Sequence, residues 1–203
     1  MRAFVAIDMP APVRQQLVAT QRWLTQQLRT QQLDRCVRWT PANNLHLTLR
    51  FLGEIDDLHQ LILEQSLAQI AQRHARLTLY AGGMGCFPNT RRPSVIWCGI
   101  QGDLAALSRL QAEVEAAAQV AGLPAESKPF QPHLTIGRLQ RSATSPQLQA
   151  VGAAAVQVTA ASARAKDVTP ITSTVDELLF MRSELTPAGS IYTRIGVFTL
   201  QSA

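Results

Sequence analysis

The sequence predicts an α+β fold of two antiparallel-rich lobes with outer helices, and three observations carry that expectation. Short alternating strand patterns recur along the 203 residues. Apolar residues at helical spacing separate them in four places. The two kinds of element mix without the regular strand–helix–strand rhythm of a parallel sheet. With 46% hydrophobic and 16% charged residues the chain can build a core, and at this length about 70% of the unfolded surface is buried on folding. Disorder as the main state is excluded.

Arg2 to Asp8 is a short apolar run rich in β-branched residues, punctuated by Pro10 and Pro12. Val13, Leu17, Leu24 and Leu28 then mark a helix to Thr30. Cys36 to Trp39 is a short strand and Pro41 to Asn44 a turn. Leu45 to Phe51 alternates, putting Leu45, Leu47, Leu49 and Phe51 on one side and His46, Thr48 and Arg50 on the other. Asp56 caps a helix running to about Arg73. Strands follow near Arg76 to Gly83 and Ser94 to Ile100, with a Gly/Pro-rich link from Gly82 to Pro93. The second half repeats the plan. Asp103 to Ala121 is an Ala-rich helix ended by Gly122 and Pro124, and Pro132 to Arg138 is a second alternating strand. Ser145 to about Ala155 is helical, and the Ala/Thr-rich stretch up to Pro170 receives no assignment. Strands at Val175 to Arg182 and Ile191 to Leu200, joined around Pro187 and Gly189, finish the chain.

Lys plus Arg exceed Asp plus Glu by 19 to 14, a formal charge of +5, which tilts the partner list towards phosphates and nucleic acids. All but Lys128 and Lys166 of these cations are arginines, the better fork for phosphate oxygens. Cys36, Cys86 and Cys98 are odd in number and share no ligand spacing, so neither a disulfide framework nor a zinc site is expected. No run approaches the ~20 apolar residues of a membrane helix, and Asp8 interrupts what a signal peptide would keep apolar. A cytoplasmic protein is expected.

One internal echo stands out. Leu45-His46-Leu47-Thr48-Leu49 returns as Pro132-His133-Leu134-Thr135-Ile136, using two of the chain's four histidines. Each copy puts a His and a Thr on one strand face. Near pH 7 two imidazoles facing one ligand can hold opposite protonation states and act as acid and base together. That suits hydrolysis of a phosphodiester without a metal: one ring takes a proton from water, the other gives one to the departing sugar oxygen. A Thr hydroxyl two residues on can donate to a non-bridging oxygen, and Arg50 or Arg138 can add charge. A zinc site would normally require a third ligand, and neither strand supplies a carboxylate or Cys. His59 and His74, in and after a surface helix, are expected in solvent.

The segments Trp39-Thr40-Pro41-Ala42-Asn43-Asn44-Leu45-His46-Leu47-Thr48-Leu49-Arg50-Phe51-Leu52-Gly53-Glu54 and Phe130-Gln131-Pro132-His133-Leu134-Thr135-Ile136-Gly137-Arg138 resemble the paired signatures of the 2H phosphoesterase superfamily. Within it the chain looks like the bacterial RNA 2′,3′-cyclic phosphodiesterases, also called 2′-5′ RNA ligases. Arg2 to Pro10, Gly85 to Pro88 with Val95 to Gly99, and Arg182 to Pro187 with Gly189 and Tyr192 extend the likeness over nearly the whole chain. The resemblance implies one bilobal domain over residues 1–203, pseudo-two-fold symmetric about a central cleft, with no cofactor and no metal. It implies opening of an RNA 2′,3′-cyclic phosphate to a 2′-phosphate, with 2′-5′ joining as a weaker reverse activity. His46 matches the acid and His133 the base, while Thr48, Thr135 and Arg138 match phosphate-holding positions. Parity sets Arg138 away from the cleft unless a bulge at Gly137 turns it back. Phe130 and Trp39, just ahead of the two motifs, are candidate base-stacking rings, Trp39 equally a core residue. The expected partner is RNA with a cyclic phosphate end, bound by a monomer. An RNA-end binding protein with little catalysis, or an enzyme for small cyclic nucleotides, is the alternative.

Overall fold

A computed structural model of the protein describes residues 1–164, 171–187 and 189–202. The elements run β1 (Arg2–Asp8), α1 (Ala11–Arg29), β2 (Val37–Trp39), β3 (His46–Glu54), α2 (Asp57–Ala71), β4 (Leu77–Phe87), β5 (Val95–Gly102), α3 (Leu104–Val120), β6 (His133–Leu139), α4 (Ser145–Arg164), β7 (Ser173–Val175), β8 (Glu177–Thr186) and β9 (Gly189–Thr199). The alternation expected between strands and helices is observed, with β7 as an added short strand.

The strands order as β7-β4-β5-β6-β3-β1-β8-β9, with β2 on β6, and these neighbours pair antiparallel. Two lobes are visible in this order. One holds β3, β1, β8 and β9, backed by α2 and α3; the other holds β7, β4, β5, β6 and β2, backed by α1 and α4. Their sheets, expected to be separate, meet at the single pair Leu47–Leu134 between β3 and β6. That pair lies on the pseudo-two-fold axis, because each leucine sits between the His and the Thr of its motif.

The helices cover one face of the sheets. Val13, Leu17, Leu24 and Leu28 of α1, Leu63 and Leu67 of α2, and Leu107, Leu110 and Val114 of α3 are buried there against Leu47, Leu49, Leu134 and Ile136. Asp56 caps α2 as expected, accepting from the His59 backbone N–H at 2.9 Å. The apolar free-energy gain of such burial, ~25 cal/mol per Å², fixes which strand face is inside and leaves the odd positions of each motif for the opposite face.

Four expectations need correction. The Gly82–Pro93 link is shorter, because β4 continues to Phe87 through a register shift between Ala81 and Met84. The helix from Ser145 extends to Arg164, through part of the unassigned stretch, whereas residues 165–170 lie outside the described ones. His74 is not solvated: its side chain is 10% exposed and its Nε2 lies 2.9 Å from Glu113 Oε1. Arg50 and Phe51 exchange faces, because β3 carries an extra residue at Leu49. The three cysteines are buried free thiols, and among the described residues no helix is long and apolar enough to cross a membrane.

Candidate active site

His46 and His133 are the first residues of β3 and β6. Around the Leu47–Leu134 pair, extending the antiparallel register by one residue sets His46 across from Thr135 and Thr48 across from His133. All four are half-buried on the face opposite the helices. Each imidazole is held by a backbone carbonyl two residues before it: His133 Nδ1 lies 2.7 Å from Gln131 O, and the Asn44 carbonyl binds His46. A carbonyl only accepts, so each ring donates to it. In His133 this fixes the neutral tautomer with a free lone pair on Nε2. Asn44 is in turn anchored, its side-chain amide donating to Ser190 O at 2.9 Å.

Aromatic rings wall each histidine. Phe4 stacks on His46 at 4.8 Å between centroids and Tyr192 meets it edge-on at 5.2 Å. Phe87 meets His133 edge-on at 4.9 Å, with Trp97 at 6.3 Å. These apolar walls remove water from the rings. Burial pushes the His46 pKa down to about 4, against the Asn44 carbonyl and the Asp8 charge, which raise it; the Arg138 and His133 charges lower it further. Burial also lowers His133, opposed by the Gln131 carbonyl and reinforced by Arg138. Arg138 thus acts on both rings, and the His133 charge acts on His46.

The position of Arg138 follows from a bulge. Trp97 pairs with Thr135 and Ile96 with Gly137, so Ile136 is an extra residue on β6. Ile136 and Gly137 are both buried on the core face, and Arg138 returns to the cleft face, exposed. A Cβ on Gly137 would stand 2.9 Å from Val37 Cγ1 and 3.0 Å from Trp39 Cε3. The carbonyl freed at the bulge, Ile136 O, accepts from Gln21 Nε2 at 2.8 Å and from Thr40 N at 2.9 Å.

The first lobe carries the same device at the same offset. Val5 pairs with Arg50 and Ala6 with Thr48, leaving Leu49 extra on β3. Gln111 Nε2 donates to Leu49 O at 3.4 Å. This bulge reverses the parity expected for Arg50, whose side chain turns away from the cleft and is buried. There its Nε lies 2.6 Å from Glu115 Oε2, and its Nη groups bind Glu126, Phe51 O and Pro124 O. Phe51 takes the cleft face instead, 55% exposed, its ring 5.9 Å from Phe4. It occupies the first-lobe position matching Arg138, five residues after the histidine. That equal offset was present in the sequence and is the signal by which Phe51 could have been found.

Of the two rings expected to stack on a base, Trp39 pairs with Gly137 and packs against the hydrophobic core on the helix side of the sheet. Phe130, in the loop before β6, is partly buried and also touches the core. What the site can do chemically is move protons to and from one anionic centre between two imidazoles, with hydroxyls and a guanidinium beside it.

The model of the 2′-5′ RNA ligase superfamily matches residues 17–187. The RNA 2′,3′-cyclic phosphodiesterase of Methanothermobacter thermautotrophicus is 29% identical over 200 residues, covering 98% of this chain and 99% of its own. That of Thermus thermophilus is 31% identical over 209 residues, covering 99% and 91%. Among solved structures, a Thermus thermophilus protein superposes with a TM-score of 0.75 at 27% identity, covering 100% and 99%. Escherichia coli LigT complexed with 3′-AMP gives 0.72 at 24%, covering 99% and 98%, a likeness of fold.

Proposed function

Since the chain belongs to the 2′-5′ RNA ligase superfamily, we propose that it is an RNA 2′,3′-cyclic phosphodiesterase that opens the cyclic phosphate to a 2′-phosphate. The reading fits relatives of that name that match nearly the whole chain. The observation that carries it to residues is the pairing of β3 with β6 at Leu47 and Leu134, which gathers His46, Thr48, His133 and Thr135 onto one face.

In this mechanism neutral His133 accepts a proton from water through Nε2 as the water oxygen bonds to phosphorus. The P–O3′ bond breaks, and the His46 imidazolium gives its proton to O3′. Thr48 and Thr135 donate to the non-bridging oxygens, and Arg138 adds charge where the negative charge grows. Burial leaves both rings neutral near pH 7 before substrate arrives. The anionic phosphate supplies the opposite charge that makes one imidazolium favourable, and a ring with a low intrinsic pKa is then a strong acid. With an RNA 5′-hydroxyl in place of water as the nucleophile, the same transfers in the same direction form the O5′–P bond as P–O3′ breaks and join ends through a 2′-5′ linkage, the weaker activity. The whole chain acts as one bilobal domain, a monomer in the cytoplasm, with neither metal nor cofactor in the reaction.

The test is the product of an oligonucleotide ending in a 2′,3′-cyclic phosphate, resolved as 2′- or 3′-monophosphate, with and without a chelator. A 2′-phosphate formed at equal rates in both is expected. A 3′-phosphate, or loss of turnover on chelation, overturns the mechanism.

A further inference from the structure

Arg38 of β2 pairs directly with Arg138 of β6. Residues opposite one another on antiparallel strands share a face and have Cβ atoms ~5 Å apart, and like charges so placed destabilise the sheet. Both arginines are exposed, and among the described residues neither has an ion pair or a hydrogen bond to offset that repulsion. On its other side Arg138 faces Val95, which offers no charge. Arg138 is on the cleft face and acts on both imidazoles, so Arg38 extends the cleft by one strand. Counting the bulge as one position, the pair stands two steps along β6 from Thr135, ~7 Å at the rise of a strand. That displacement is about one ribose away from the phosphate between the histidines.

We propose that Arg38, with Arg138, holds a second phosphate, the one on the 5′ oxygen of the terminal nucleotide, so that the site takes an RNA chain by its last two phosphates. The proposal rests on the reading of His46 and His133 given above. Two guanidiniums side by side present parallel N–H forks to the oxygens of one phosphate, and the anion relieves their mutual repulsion. Arg138 lies between the two phosphates and serves both; Arg38 reaches only the second. Arg38 is therefore a specificity residue that separates oligonucleotides from nucleosides.

The experiment measures kcat/KM for the wild type, Arg38→Ala and Arg38→Lys on three substrates. These are a nucleoside 2′,3′-cyclic phosphate with a 5′-hydroxyl, the same nucleotide with a 5′-phosphate, and a trinucleotide ending in the same cyclic phosphate. In Arg38→Ala the ratio of trinucleotide to nucleoside kcat/KM is expected to fall roughly tenfold, mainly through KM, as for loss of one charged hydrogen-bonded contact. Lysine recovers part of it, and the slope of log affinity against log salt drops by about one. A fall for the 5′-phosphorylated nucleotide as well shows that a free phosphate suffices; a fall for the trinucleotide alone assigns the seat to an internal phosphodiester. An unchanged ratio, or equal loss on all three substrates, overturns the proposal. If the wild type turns over none of them, the reading of the histidine pair fails by itself. Binding of a fluorescent trinucleotide to wild type and Arg38→Ala then decides the arginine seat, equal affinity overturning it.

Discussion

His46 and His133 are each fastened by the backbone carbonyl two residues upstream, Asn44 and Gln131. A ring that donates there has one nitrogen left for chemistry. The equivalence of the two clamps makes the histidines interchangeable in geometry, so only a probe of the leaving group separates their roles. Replacing O3′ by sulfur gives a thiolate leaving group that requires no proton. His46→Ala, expected to lose about 10²–10⁴-fold on the natural substrate, should recover most of its rate on the sulfur substrate, whereas His133→Ala should not. Recovery by His133→Ala instead reverses the assignment.

The buried His46 also makes stability depend on pH. An unfolded histidine binds its proton below about 6.5, while the folded ring binds one only below about 4. Between those values the unfolded state holds more protons, so stability falls as pH falls through that window, by of order 3 kcal/mol in all. Lowered His133 adds to the same trend. Urea unfolding at pH 7 and 4.5 should show the loss, and His46→Gln should flatten it. In NMR, the His46 ring should titrate near 4 in the free protein and higher with inorganic phosphate bound.

Much of this site was legible in the sequence because β-strand chemistry has period two and the motif occurs twice. His46, Thr48, His133 and Thr135 needed only alternation to be placed on one face. What alternation could not give is the bulges at Leu49 and Ile136, each of which adds one residue and reverses the positions that directly follow it. For Arg138 the glycine before it signalled the device. For Arg50 no glycine does, and alternation alone puts the residue on the wrong face. The aromatic walls come from three distant stretches, Phe4, the β4–β5 hairpin with Phe87 and Trp97, and Tyr192, a convergence that the strand order reveals.

The second bulge should be separable from overall stability. Gly137→Ala forces a Cβ against Val37 and Trp39, and Gln21→Leu leaves Ile136 O without its side-chain donor. Overpacking of this kind typically costs ~1–3 kcal/mol. Because Arg138 is aimed by this bulge, kcat/KM should fall further in Gly137→Ala than in a core variant of equal Tm, such as Leu63→Val. Equal activity in the two would mean that the aim of Arg138 does not matter.

Phe51 faces the cleft with more than half its surface exposed and its ring tilted at 44° to that of Phe4. An exposed ring there can stack on a base, worth ~1–3 kcal/mol by alanine substitution. Phe51→Ala should raise KM about tenfold or more with Tm nearly unchanged, and Phe51→Trp should retain affinity. A large drop in Tm with unchanged KM would assign the ring to packing.

Arg50 is the costly residue of the first lobe. Its guanidinium is 7% exposed and joins β3 to Glu115 of α3 and to Glu126 and Pro124 in the segment leading to His133. Burial raises the Glu115 carboxyl, but the Glu126 N–H, the Gln119 amide and Arg50 together hold it below the usual range. Breaking a buried pair by removing one partner typically costs ~3–5 kcal/mol, because the other charge stays behind. Arg50→Met should therefore lower stability by about 3 kcal/mol, and the double variant Arg50→Met/Glu115→Leu should recover part of it. The sign in pH follows from the depressed carboxyl: its contribution is present above the unfolded value and is lost as pH falls through the folded one. The gap between wild type and Arg50→Met should accordingly narrow in acid, and a gap independent of pH would show that packing of the side chain, not its charge, carries the effect.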